Sequence, residues 1–170
     1  CTLQLRVVSL RQGGRVVDIE SPAGQPNTLY LGFATGGLWK STDGANTFTP
    51  IFDGYSACGI GDVAVSKDGN TIWIGTGENN TNYEGYKGVG VWRCNWPCEP
   101  GAEFAPVGGD ELAGMTIGDV VFARNGSVLA ATNFGIWRHS GSDLSAPWRK
   151  VHGTTIRSPC LPTAPCCRST

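Results

Sequence analysis

The chain has 170 residues, of which 25 are glycine and 10 are proline, and its formal net charge is −1. Charged residues make up 16% of the chain, against about 25% in an average soluble domain, so no basic field exists to attract nucleic acid or an anionic membrane. No apolar run approaches the ~20 residues of a membrane-spanning helix. Six Trp, six Phe and four Tyr supply large apolar surfaces, which argues against disorder and, with the many glycines, favours short strands and tight turns.

The predicted elements begin with a lead-in strand at residues 1–12. Three similar units are predicted to follow at residues 13–57, 58–110 and 111–153, and a Cys- and Pro-rich tail at 154–170 ends the chain. Each unit opens on an apolar strand that carries an aspartate, and then passes through a turn into a second strand. The third strand has the form Gly-Xaa-Trp followed by a basic residue, and the fourth strand holds an aromatic residue.

The three units are in register at two positions. The aspartates are Asp18, Asp62 and Asp119, and the tryptophans are Trp39, Trp92 and Trp137. Four short strands per unit at this spacing are typical of β-propeller blades, each of which needs neighbours to cover its two faces. We therefore predict an all-β chain of three four-stranded β-propeller blades, with the tryptophans as core side chains between blades.

The turn between the third and fourth strands of the first unit carries a motif. Residues 41–48 resemble the Asp-box of BNR-repeat propellers, Ser-Xaa-Asp-Xaa-Gly-Xaa-Thr-Trp, with Ala45 in place of the motif glycine and Phe48 in place of its tryptophan. The resemblance covers about residues 13–151 and includes the sortilin-like and glycosidase-like branches of the family. It implies a structural turn formed by Ser41, Asp43, Gly44, Thr47 and Phe48.

An insertion at residues 77–88 lengthens the second unit between its second and third strands. In a propeller, loops in this position lie on the face that ordinarily binds ligand, although a solvated loop without a ligand is the competing interpretation. Carboxylates and amides bond sugar hydroxyls and tyrosine rings stack on pyranose faces, so the loop is predicted to bind a glycan or a protein. The predicted ligand-binding residues are Glu78, Asn79, Asn80, Asn82, Tyr83, Glu84, Tyr86 and Lys87.

The three register aspartates allow two interpretations. Asp18, Asp62 and Asp119 each begin the innermost strand of a unit, where a ring of carboxylates near the axis could bind a structural cation. Bonding to the backbone of the adjoining loops is the favoured interpretation, and Arg15 on the same strand could neutralise Asp18. No set of residues has the spacing of a zinc site, so no metal ligand and no cofactor are assigned.

Seven cysteines are many for a cytosolic β protein of this size and favour an oxidising compartment, extracellular or periplasmic. Cys94 and Cys98 are the predicted disulfide pair. The leading interpretation is a secreted, non-catalytic recognition or assembly module that binds through the 77–88 loop. Three blades leave two open sheet faces, so we expect either a homo-oligomer or a piece of a longer propeller.

Two other functions stay open. One is a glycoside hydrolase of the BNR-repeat type, sialidase-like or β-glucanase-like, or a fragment of one. No arginine triad is readable, and Ala34-Thr35 stand where a β-glucanase would carry its carboxylate, which leaves Glu78 and Glu84 as weak catalytic candidates. The other is a self-assembling extracellular structural subunit whose open blade edges and tail cysteines make the contacts.

Overall fold

The computed structural model describes residues 14–55, 57, 59–78 and 86–153 of the chain. Short strands form three four-stranded antiparallel sheets, and in each sheet the neighbouring strands are consecutive in sequence. This architecture confirms the prediction of an all-β chain with three four-stranded propeller blades. Within the described residues, no helix has the length and apolar character needed to cross a membrane.

Each blade contains four strands. Blade 1 contains β1 (Val16–Glu20), β2 (Leu29–Phe33), β3 (Gly37–Ser41) and β4 (Thr49–Pro50). Blade 2 contains β5 (Ile60–Val65), β6 (Thr71–Thr76), β7 (Val91–Asn95) and β8 (Ala105–Val107). Blade 3 contains β9 (Ile117–Phe122), β10 (Val128–Thr132), β11 (Gly135–His139) and β12 (Arg149–His152), and a 3₁₀ turn at Asp110–Leu112 precedes it. The finer unit boundaries stay predictions, and the lead-in 1–12 and the tail 154–170 lie outside the described residues.

Consecutive blades stack through their apolar faces. We call the face toward the preceding blade the leading face and the face toward the following blade the trailing face. Tyr30 and Leu38 on the trailing face of blade 1 pack against Ile60, Val63 and Ile74 on the leading face of blade 2, and none of these five is more than 1% exposed. Burying one such side chain contributes about 1.5–3 kcal/mol, so stacking supplies much of the stability of each sheet.

A second core of the same kind joins blades 2 and 3. Ala64, Trp73 and Val91 on the trailing face of blade 2 pack against Ile117 and Val120 on the leading face of blade 3. The two cores use matching positions of the repeat. Alternate residues of a strand point to opposite faces of its sheet, so each blade can pack against a neighbour on either side. The blades therefore stack in chain order.

Two glycines let the innermost strand of one blade approach the blade before it. Gly32 in β2 lies against Ile60, and a Cβ added at Gly32 would be 2.8 Å from Cγ2 of Ile60. Gly75 holds the same place in β6, where an added Cβ would be 2.5 Å from Cγ2 of Ile117. Since both distances are shorter than van der Waals contact, a side chain at either position would push the blades apart.

The repeat tryptophans are less covered than the sequence predicts. Each of the three is only partly buried: Trp39, Trp92 and Trp137. The fully covered tryptophans are Trp73, 1% exposed, and Trp148, 3% exposed. Trp148 crosses the interface between blades 2 and 3, since its Nε1 donates to the carbonyl oxygen of Val107 at 2.8 Å.

A buried lysine ties blade 1 to blade 2. Lys40 in β3 is 3% exposed, and its Nζ donates to Glu99 Oε1 and to the carbonyl oxygen of Pro97, each at 2.6 Å. The ammonium group also lies 4.7 Å from the ring centroid of Trp96. The disulfide predicted between Cys94 and Cys98 is confirmed, and it closes the turn that holds Trp96 and Pro97 against the lysine.

Gly75→Ala is expected to lower the free energy of unfolding by about 1–3 kcal/mol, because its methyl group would overfill the interface at Ile117. Gly14→Ala is the matched control, since an added Cβ at Gly14 would meet nothing closer than 3.5 Å. Urea unfolding followed by tryptophan fluorescence measures both variants. Equal losses of stability in the two variants would contradict the close packing of blades 2 and 3.

Candidate functional site

The connections between strands alternate between the two ends of the blades. The β2–β3, β4–β5, β6–β7, β8–β9 and β10–β11 connections share one end, which we call the loop face. The remaining hairpins, including the turn at residues 41–48, lie at the opposite end. The predicted ligand loop, residues 77–88, is the β6–β7 connection and therefore belongs to the loop face.

The two ends of the 77–88 loop are fixed by backbone hydrogen bonds. The N–H of Glu78 donates to the carbonyl oxygen of Tyr86 at 3.0 Å, which closes the loop at its base. The N–H of Gly88 donates to the carbonyl oxygen of Met115 at 3.0 Å, which ties the loop to the β8–β9 connection. Five predicted ligand residues lie outside the described residues: Asn79, Asn80, Asn82, Tyr83 and Glu84.

Glu78 is engaged by Arg15, which lies just before β1. Its carboxylate accepts from the guanidinium of Arg15, and the Glu78 side chain is 12% exposed while that of Arg15 is 55% exposed. The prediction that Arg15 neutralises Asp18 is wrong. Arg15 precedes β1 at the loop face and reaches Glu78 there, whereas Asp18 lies inside the sheet and faces blade 2.

Tyr86 and Lys87 are exposed where the loop returns to the sheet. Tyr86 is 57% exposed, and Lys87 is also exposed. Cβ of Tyr86 lies against Gly59, where an added Cβ would be 3.6 Å away, and Gly59 in turn lies against the carbonyl oxygen of Ala34. The tyrosine therefore stands above the junction between blades 1 and 2.

A cleft of about 190 Å³ opens on the loop face beside blade 1. Its lining includes Thr35, Asp53 and three glycines, so a hydroxyl and a carboxylate lie beside backbone that no side chain covers. This mixture of donors and acceptors suits polar ligands such as sugars. Asp53 is not among the residues predicted from the sequence, although the turn signal Asp53-Gly54 in the connection between blades 1 and 2 points to this position.

The register aspartates link consecutive blades. Oδ2 of Asp18 accepts the N–H of Val63 at 3.0 Å, and Oδ2 of Asp62 accepts the N–H of Val120 at 2.8 Å. Each carboxylate thus reaches the innermost strand of the following blade, and not a loop that adjoins its own strand. In the part of the chain that the structure describes, no group of three or more His, Cys, Asp or Glu side chains is placed to hold a metal ion.

Asp62 has an unusual acidity for a carboxyl group. Its pKa is raised to about 7, mainly by burial, with the Val120 N–H acting in the opposite direction and the carboxylates of Asp18, Asp119 and Glu20 adding to the rise. The site of this near-neutral titration is the interface between blades 2 and 3, near the end of β5 that adjoins the loop face, since Asp62 pairs with Gly75 in β6. Its expected consequence is a pH-dependent stability.

The turn at residues 41–48 uses its carboxylate internally. Oδ1 of Asp43 accepts the N–H groups of Asn46 and Thr47 at 3.0 and 2.9 Å, and Oδ2 accepts the Thr47 hydroxyl at 2.6 Å. These hydrogen bonds, led by those from Thr47, lower the pKa of Asp43 to about 2. Ser41 Oγ also donates to Asp43 Oδ1 at 2.9 Å, and Gly44 adopts the left-handed conformation with φ of 70°.

Comparison with known proteins shows the fold. No protein-family model and no curated protein matches the chain. An ancestral GH74 enzyme is similar with a TM-score of 0.64 and 21% identity over 82% of this chain, and the GH74 enzyme of Niastella koreensis with a TM-score of 0.52 and 20% identity over 76%. The chain spans 18% and 20% of the length of these two structures, so it is similar to a part of each.

Asp62→Asn is expected to flatten the dependence of stability on pH. The pKa of Asp62 in the folded chain, about 7, lies above its ordinary value of 3.8, so the protonated carboxyl stabilises the fold. This stabilisation is complete below pH 3.8 and is lost as the pH rises through about 7. The side-chain amide of the variant would keep an oxygen for the Val120 N–H without titrating, and thermal unfolding at a series of pH values measures the difference.

The control for this experiment is Asp53→Asn, which removes an exposed carboxylate from the loop face. We expect Asp53→Asn to keep the wild-type pH dependence. Asp43 does not disturb the comparison, because its pKa of about 2 places its titration below the window. Identical pH profiles for wild type and Asp62→Asn would show that Asp62 does not titrate between the blades.

Proposed function

We propose that the chain is a non-catalytic recognition module of an extracellular or periplasmic propeller and that its loop face binds a glycan. The observation that carries the proposal is the fixed base of the 77–88 loop, which holds Tyr86 and Lys87 exposed above the blade 1–blade 2 junction. A loop with an ordered base loses less conformational entropy on binding than a free one. Assignment of the 41–48 turn to the Asp-box type of BNR-repeat propellers is part of the same proposal.

The exposed groups of the loop face fit the chemistry of sugars. A tyrosine ring offers an apolar surface for the C–H face of a pyranose, and an ammonium group donates to hydroxyl or carboxylate oxygens. The nearby cleft adds the hydroxyl of Thr35 and the carboxylate of Asp53. These groups together supply a stacking surface, donors and acceptors on one face of the molecule.

The same geometry favours binding over hydrolysis. Glycoside hydrolysis requires two carboxyl groups about 5–9 Å apart on either side of the scissile bond. Glu78 is largely covered, and its carboxylate is bonded to Arg15. The carboxyl group of Asp62, with its pKa near neutrality, is engaged between the blades, where it accepts the N–H of Val120. Binding without hydrolysis is therefore the function we propose, and a glycoside hydrolase is the alternative.

The disulfide supports the proposed compartment. Cysteine pairs such as Cys94–Cys98 form and persist in oxidising surroundings, outside the cell or in a periplasm.

Tyr86→Ala is expected to weaken glycan binding about tenfold, because it removes the stacking surface. Isothermal titration calorimetry against a panel of sialosides and β-glucan oligosaccharides measures the affinity. Lys87→Ala tests the ammonium group, and Lys67→Ala is its matched control, since Lys67 is an exposed lysine of the β5–β6 turn at the opposite end. We expect Lys67→Ala to bind as the wild type does.

Two results would contradict this function. Catalytic release of sugars from the panel, abolished by Glu78→Gln or Glu84→Gln, would show a glycoside hydrolase. Absence of binding to every member of the panel would contradict glycan recognition by the loop face.

A further inference from the structure

The contact between consecutive blades repeats in a regular way. The first register aspartate bonds the N–H of Val63, which directly follows Asp62, and Asp62 bonds the N–H of Val120, which directly follows Asp119. In the next step of this repeat, the carboxylate of Asp119 would accept a backbone N–H from a following blade. Asp119 is exposed, and its carboxylate makes no hydrogen bond to any of the described residues. A backbone N–H at the edge of a further strand would supply the donor for this carboxylate.

The trailing face of blade 3 has the composition of a blade interface but is exposed. Val121, Ile136 and Val151 are 46%, 37% and 48% exposed. The residues at the matching positions of blade 2 are covered by blade 3, and they are Ala64 at 7%, Val91 at 1% and Val107 at 3%. Aliphatic side chains in this arrangement are those that stack on a further sheet.

The leading face of blade 1 carries the complementary half of such an interface. Val16 and Ile19 in β1 are 41% and 59% exposed, whereas the matching Ile60 and Val63 in β5 are 0% and 1% exposed. Ile19 directly follows its register aspartate, as Val63 and Val120 do. Its N–H is therefore the donor that matches the carboxylate of Asp119.

Charge also matches between the two open faces. Lys40 on the trailing face of blade 1 pairs with Glu99, which lies in the β7–β8 turn of blade 2. Arg138 holds the position of Lys40 in β11, and it is exposed. The turn of blade 1 that corresponds to the β7–β8 turn carries Asp43, whose lowered pKa keeps it ionised.

We propose that the trailing face of blade 3 binds the leading face of blade 1 of a second copy of this chain, with Asp119 accepting the N–H of Ile19. Two copies related by a two-fold axis would make this contact twice and bring six blades together. Six lies within the range of about 4–8 blades over which propellers close. This surface is separate from the loop face, so the proposal does not depend on the glycan ligand.

One residue sets the strength of this contact. Ala131 in β10 pairs with Asp119 and so holds the place of Gly32 and Gly75, where an added Cβ would lie 2.8 and 2.5 Å from the next blade. Its methyl group keeps the second copy farther away than the blades within one chain. The contact between copies is consequently weaker than the internal interfaces, and removing the methyl group strengthens it.

Sedimentation velocity from about 1 μM to about 1 mM tests the proposal. We expect the wild type to pass from a single chain to a dimer as its concentration rises. Asp119→Ala removes a hydrogen bond to a charged group from both contacts of the dimer, so its Kd is expected to rise on the order of 100-fold. Ile19→Asp places a like charge opposite Asp119 and is expected to abolish the dimer, whereas Ala131→Gly is expected to lower the Kd.

Asp53→Ala is the matched control, because Asp53 is an exposed aspartate on the loop face, and it is expected to leave the Kd unchanged. Circular dichroism shows that each variant is folded. A dimer, or larger head-to-tail assemblies, dissociated by changes on either face supports the proposal. A single chain throughout the range contradicts the second copy as the occupant, as does an assembly insensitive to Asp119→Ala and Ile19→Asp.

Discussion

The contact between the innermost strand of one blade and the trailing face of the blade before it is the constraint on which the rest of the structure depends. Two residue types define this contact. The carboxylate of Asp62 fixes the position of β9, the innermost strand of blade 3, by accepting the N–H of Val120. Gly75 lets β9 approach blade 2 closely. The carboxylate also satisfies a backbone donor at a strand edge, which would otherwise lack a partner inside the stack.

The stacking of the blades also fixes the base of the 77–88 loop on the loop face. Because the blades are held in register, the β6–β7 loop lies between two inter-blade connections, and Gly77 and Gly88 bond to Gly59 and Met115. The opposite end is built differently, since the carboxylate of Asp43 is used within its own turn. The exposed side chains of Asp53, Tyr86 and Lys87 lie at the loop face, and they support the proposal that this face binds the ligand.

The sequence predicts those features that depend on local patterns. The strand repeat, the 41–48 turn and the Cys94–Cys98 disulfide each involve residues close together in the chain. Partners distant in sequence are not predictable in this way, because they depend on which faces meet. Arg15 bonds Glu78, 63 residues away, and Lys40 bonds Glu99, 59 residues away. The repeat predicts the register aspartates, but their acceptor role toward the following blade depends on how the blades stack.

Amide hydrogen exchange at Val63 and Val120 tests the stacking of the blades most directly. Both residues lie on the innermost strand of a blade, where an unpaired amide would exchange quickly. We expect slow exchange at both amides in the wild type, with selective acceleration of Val63 in Asp18→Ala and of Val120 in Asp62→Ala. Exchange at the rate of an unprotected amide in the wild type, or no response to either substitution, would contradict this stacking.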